Sequence, residues 1–116
     1  MSQQTVVIVR QDGLGSVRSQ DVQFGREMFD KFLHTLEGQS PKPHAICFYT
    51  EGVRLTCEGS PVLFSLQMLA RMGVRIVICT SCLEYYKIES RAAVGEKGTM
   101  RDTVQPAVEA GSVITV

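Results

Sequence analysis

Apolar and polar positions alternate between two regimes along this chain. "TVVIVR" (Thr5–Arg10) is an unbroken apolar run rich in β-branched residues and closed by the turn-forming "QDGLGS", the pattern of a strand buried on both faces. The next stretch spaces Phe24, Met28, Phe32 and Leu36 four apart, with Phe29 and Leu33 beside them. It predicts an amphipathic helix of about 15–18 residues, ended by Gly38 and the Pro41/Pro43 loop. "HAICFYT" (His44–Thr50) reads as a second buried strand. "GSPVLFSLQMLARMG" predicts a helix with Ser60 as N-cap, Pro61 at its first position and Gly73 at its end. "VRIVIC" (Val74–Cys79) gives a third strand. "GTMRDTVQPAVEAG" then sets Met100, Val104, Ala107 and Val108 on one helical face, and "SVITV" closes the chain as a strand. Pro106 either kinks that last helix or marks a later start for it.

Strands and helices in alternation, joined by short glycine-marked turns, build right-handed βαβ crossovers. The expected fold is α/β: a flavodoxin-like, doubly wound, mostly parallel sheet of four to five strands with helices on both faces. "TEGVRLTCEGS" (Thr50–Ser60) does not fit the alternation. Val53, Leu55 and Cys57 alternate with Arg54, Thr56 and Glu58, a period of two that predicts a short extended segment. Following the second strand, it should lie over the carboxyl edge of the sheet, where open α/β folds place ligands and chemistry.

Length changes the picture by limiting it: 116 residues suit a single domain spanning 1–116 with one core. Twelve basic and twelve acidic residues balance, so no electrostatic footprint for nucleic acid or an anionic membrane is visible. The longest apolar run is far short of a bilayer span. "MSQQTVVIVRQ" has neither a basic n-region nor a small-residue cleavage site, so no secretory leader is read there. Four cysteines in such a chain are expected to be cytosolic thiols rather than a disulfide framework.

The candidate chemistry sits in "ICTSCLEYY" (Ile78–Tyr86). Cys79 closes the third strand, and Thr80 and Ser81 are both competent N-caps, which places Cys82 in the first turn of a helix. Main-chain N–H groups there favour an anion, and a thiolate is one. A fall in thiol pKa from about 8.5 to about 7 corresponds to ~2 kcal/mol and would raise the thiolate from a few per cent to about half at neutral pH. Cys82 is the candidate nucleophile, and Cys79 either resolves an intermediate as a disulfide or packs in the core.

Zinc needs a second ligand pair. Cys47 and Cys57 lack chelating spacing, and His34 and His44 show no paired spacing either. The spacing thus disfavours an intrachain zinc site, and half-sites shared between subunits are the metal reading that competes. "DGLGS" (Asp12–Ser16) lacks the third glycine of a dinucleotide fingerprint and the Lys-Ser/Thr of a P-loop, so a tight turn explains it and no cofactor is expected.

"GVRLTCEGS", "LQMLARMGVRIVICTSCLEYY", "VGEKGTM" and "SVITV", taken in that order, resemble the DsrE-like sulfur-relay superfamily. The resemblance is nearest to the carboxyl-terminal domain of YedF-like proteins linked to selenium metabolism, and it runs from about Val6 to Val116. It implies a flavodoxin-like sheet, homo-oligomers, and sulfur held as a persulfide or passed between proteins. By position, Cys79 and Cys82 match the motif cysteines; Gly52, Val53, Leu55, Thr56, Gly59 and Ser60 match the segment that approaches them. Cys57 falls where the motif is open. Thr80 stands where the family has glycine, Thr50–Glu51 where it has Asn-Ser, and Gly98–Thr99 where an Asn before Met100 is common. A TusA-like carrier would be a separate protein.

The functional expectation is a cytosolic thiol protein that accepts or transfers sulfur, or selenium, on Cys82. Cys79 would be its partner, with Thr80, Ser81, Gly52, Val53, Arg54 and Thr56 around the substrate and Arg54 meeting an anionic partner group. The competing readings are an oligomeric structural or regulatory module with unreactive cysteines, and inter-subunit metal binding.

Overall fold

A computed structural model describes residues 4–116; residues 1–3, part of the stretch read above for a leader, lie outside the described residues. Five strands, β1 (Thr5–Val9), β2 (Ala45–Phe48), β3 (Arg75–Cys79), β4 (Glu96–Gly98) and β5 (Ser112–Thr115), form one sheet in the order β4-β3-β2-β1-β5. Every neighbouring pair is parallel. The helices are α1 (Val22–Glu37), α2 (Leu63–Arg71), α3 (Thr80–Tyr85) and α4 (Met100–Glu109). This is the doubly wound α/β arrangement expected, with five strands.

The chain steps along the sheet in one direction from β1 to β4 and then returns past three strands to β5. Right-handed crossovers put helices of opposite steps on opposite faces. Accordingly α1 and α2 share one face, over Val7, Val9, Ile46, Phe48, Ile76 and Ile78, with Phe29, Leu33, Leu66 and Leu69 filling the layer between. The returning α4 alone covers part of the other face, over Val6, Ala45, Cys47 and Val77. Both faces of β2 are therefore buried, which is why its residues read as a continuous apolar run.

Four local expectations differ from what is found. The buried stripe of α1 is Gly25, Phe29 and Leu33, while Phe24 is exposed. In α2 the N-cap is Val62 rather than Ser60, whose hydroxyl instead accepts from the Val62 N–H at 3.3 Å. The segment expected to be extended is a 3₁₀ helix, Thr50–Thr56, burying Gly52, Val53, Leu55 and Thr56; three residues per turn over the strand ends mimic an alternation.

The fourth concerns α4. It turns Thr103 and Pro106 inward, with Ala107 and Ala110 also packed on the sheet, and leaves Met100, Val104 and Val108 exposed. Small inward residues let α4 lie close to β2 and β3. A capping box of Thr99 with Asp102 fixes its start, so Pro106 falls inside the helix.

Candidate functional site

The ends of β2 and β3 meet at Cys82. Ile76, Val77 and Ile78 bury β3 completely up to Cys79, which is itself 1% exposed and serves as the N-cap of α3. Contrary to expectation, neither Thr80 nor Ser81 caps the helix; both are already helical because strand passes into helix without an intervening turn. Cys82 is nonetheless in the first turn, half-buried, whereas the other three cysteines are buried; all four are free thiols. With six residues, α3 adds little dipole of its own.

The nearest main-chain donor comes from elsewhere. At the end of β2 the Tyr49 N–H bonds the Val9 carbonyl, and the chain then turns sharply at Thr50, whose φ is +45°. That left-handed conformation is uncommon for a β-branched residue. It aims the Thr50 N–H at Cys82 Sγ, 3.0 Å away, while the Thr50 hydroxyl donates to the Arg10 carbonyl at 2.9 Å. Gly52 lets the following 3₁₀ turn press against β1: a Cβ there would collide with the Val9 carbonyl.

The thiol of Cys82 is pushed above its ordinary pKa, first by burial and then by its hydrogen bond with Cys79; the Thr50 N–H acts in the opposite direction. This corrects the expectation of a lowered value. A short helix and one amide do not offset the desolvation at a sulfur flanked by another sulfur. Tyr49 lies within electrostatic reach of Cys47, Cys79 and Cys82; burial raises its phenol, with the nearby Thr103 hydroxyl acting in the opposite direction. Cys79 and Cys82 are thus brought together with Thr50 and Tyr49, two residues outside the set expected from sequence. Their position at the carboxyl end of a strand was the available signal.

No protein-family model matches the chain, and no curated protein does. Solved structures do. The ychN protein from E. coli superposes with a TM-score of 0.72 at 17% identity, covering 99% of this chain and 100% of that one. MTH1491 from Methanobacterium thermoautotrophicum, a protein of unknown function, gives 0.68 at 14% identity, covering 99% and 100%. BT1422 from Bacteroides thetaiotaomicron, a conserved protein of unknown function, gives 0.64 at 14%, covering 97% and 94%. These structures share the overall path of this chain, a doubly wound α/β fold on a parallel sheet. At such identities the likeness concerns chain path, not chemistry.

The residues expected around the substrate divide by burial. Thr80 is half-buried and Ser81 exposed, both within three residues of the sulfur. Val53 and Thr56 are fully buried, and the Thr56 hydroxyl donates to the Val53 carbonyl at 2.7 Å. They and Gly52 shape the 3₁₀ turn rather than offer a surface to substrate, because two of every three positions of this turn face the core. Arg54 points outward, with its guanidinium stacked 4.2 Å from the Tyr86 ring centroid. Cys57 packs in the core, bridged to Ala92, and burial raises its thiol. Among the described residues no three His, Cys, Asp or Glu side chains are grouped as a metal site. None of the described helices is long and apolar enough to cross a membrane.

Proposed function

We propose that the chain is a cytosolic sulfur-accepting protein, a sulfurtransferase-like carrier that holds a persulfide on Cys82. The observation that supports this most is the Thr50 N–H set on Cys82 Sγ by a backbone conformation threonine rarely adopts. Uncommon backbone geometry concentrates at sites where a group must be aimed. The reaction is redox-neutral: Cys82 S⁻ attacks the outer sulfur of a donor persulfide R–S–SH, forming Cys82–S–SH and releasing R–S⁻. Because the Cys82 thiol is held above its usual pKa, little thiolate exists at neutral pH, and the proton must leave as the donor docks. A persulfide is more acidic than a thiol, so the product anion is the species that the Thr50 amide favours. Attack by Cys79 on the inner sulfur would expel HS⁻ and leave a Cys79–Cys82 disulfide, which a thiol reductant resets. Selenium fits the same chemistry, and the partners would be donor and acceptor proteins such as a TusA-like carrier.

Incubation with a protein persulfide donor, then intact-mass measurement, is the test. A gain of about 32 Da that disappears in Cys82→Ser is expected; no gain on the unaltered chain, or one that survives that substitution, would sink the reading.

A second reading, an assembly module, is favoured by the uncovered stripe Met100, Val104 and Val108 on α4, and by Val113 exposed on the edge strand β5. Apolar helix faces and open sheet edges are the usual material of contacts between identical chains. Sedimentation of the chain and of Val108→Glu separates the cases: a homo-oligomer that dissociates supports assembly, and a monomer in both speaks against it.

A further inference from the structure

A hollow of about 270 Å³ opens between α1, the 3₁₀ turn and the start of α2, and Cys82 is not part of its lining. Arg26 from α1, Arg54 from the 3₁₀ turn and Arg91 from the loop after α3 converge on it, with Glu58, Ser60 and Leu55 completing the wall. A second hollow of about 150 Å³ shares Arg26, Arg54, Glu58 and Arg91. We propose that this three-arginine hollow binds a small molecule through one tetrahedral oxyanion group, a phosphate or sulfate.

The state of each guanidinium supports the assignment. Arg26 spends two of its five N–H donors on Asp12, at 3.1 and 2.6 Å, which fixes the fork and leaves three free. Arg54 uses its flat face on Tyr86, so its edge donors remain available. Arg91 is held loosely: its Nη2 donates to the Glu58 carbonyl at 3.4 Å, and its Nε stands 3.9 Å from the Glu58 carboxylate. Three guanidiniums against the two carboxylates of Asp12 and Glu58 leave one positive charge uncancelled. Gly59, Ser60 and Pro61 line the wall immediately ahead of the nine-residue α2; Ser60 accepts from the Val62 and Leu63 N–H groups, and the positive end of the helix lies alongside.

Planar guanidinium forks match the edges of phosphate and sulfate. The volume is just below the range of about 300–1,000 Å³ usual for small-molecule sites, enough for the anion and a short organic remainder but not for a nucleotide. Glu58 acts as an internal competitor, a carboxylate resting where the ligand's oxygens would go. The site is built without Cys82 and does not depend on persulfide chemistry.

Inorganic phosphate and sulfate, titrated at constant ionic strength and followed by amide shifts and calorimetry, are the probes. Saturable one-to-one binding with a Kd on the order of 1 mM or tighter is expected, with shifts centred on Arg54, Ser60 and Arg91. Arg91→Gln, an exposed change, should weaken it about tenfold. Glu58→Gln should strengthen it several-fold, and Cys82→Ser should leave it unchanged. Lack of saturation, equal response to chloride, binding indifferent to Arg91→Gln and Glu58→Gln, or preference for an acidic peptide over both oxyanions would each overturn the assignment.

Discussion

The Thr50 N–H lies 3.0 Å from Cys82 Sγ, across 32 residues of sequence, and Thr50 reaches that position with φ +45°. The conformation costs a β-branched residue on the order of 1–2 kcal/mol. Asparagine tolerates the left-handed region better and keeps the N–H. Thr50→Asn therefore relieves strain worth roughly 0.5–1 kcal/mol but gives up the hydroxyl bond to Arg10. In urea unfolding it should stay close to the unaltered chain, without altering how Cys82 reacts. Thr50→Val keeps the strain and removes the hydroxyl bond to Arg10, and should cost about 1 kcal/mol. Equal stability for the two variants would mean that the turn is not strained.

Alkylation should find one thiol in the native protein. Cys82 alone is partly exposed, so iodoacetamide should modify it first and leave Cys47, Cys57 and Cys79 until denaturant is added. The rate should rise with pH through a midpoint above that of a free cysteine, because burial and Cys79 both hold the proton on Cys82. Cys79→Ala removes one of these causes and should move the midpoint down. A midpoint below the free value in the unaltered chain would restore the activated thiolate and show that the Thr50 amide outweighs burial at this sulfur.

Gly52 shows how one missing side chain positions the site. A Cβ at this residue would strike the Val9 carbonyl, a backbone atom held in the β1–β2 ladder. Gly52→Ala should thus destabilise by about 1–3 kcal/mol, the cost of overpacking, and shift the Thr50 amide off the sulfur. Both effects are measurable, by urea unfolding and by the Thr50 amide chemical shift. A neutral substitution would show that the 3₁₀ turn can lift from the sheet freely.

How much of the molecule is legible in its sequence follows from particular residues. Three strands, β1, β2 and β3, announce themselves through runs such as Val6–Val9 and Ile76–Ile78, since burial on both faces leaves little room for polar positions. β5 is legible from its β-branched run although its residues are exposed. The fifth, β4, is Glu96, Lys97 and Gly98, a charged edge strand with no apolar signal. Strand-then-helix reasoning places Cys82 in a first turn, where it is found, but gives the wrong sign for its electrostatics, because desolvation depends on neighbours distant in sequence. The α4 stripe misleads for a similar reason: periodicity identifies an apolar face but not what covers it. The capping box at Thr99 and Asp102, and Pro106 beyond it, are the local signs that fix the helix. The meeting of Arg26, Arg54 and Arg91 is purely tertiary, with no spacing to betray it.

Cys47 makes a prediction about alkaline stability. It lies mid-strand in β2, fully buried, and burial pushes its thiol up to about 11, with the charge of Arg75 acting in the opposite direction. A thiol whose folded pKa exceeds its unfolded value contributes stability that is fully present below the unfolded pKa. That contribution is lost as pH rises towards the folded one. Between about pH 9 and pH 11 the fold should lose on the order of 2–3 kcal/mol on this account alone. Cys57, Cys82 and Tyr49, all raised, steepen the loss. Urea unfolding at pH 8 and pH 11 measures the total, and Cys47→Ala should unfold with a visibly flatter pH dependence. An unchanged slope in that variant would mean that the thiol is reached by water in the folded chain, and that the layer between β2 and α4 is looser than its packing of small residues implies.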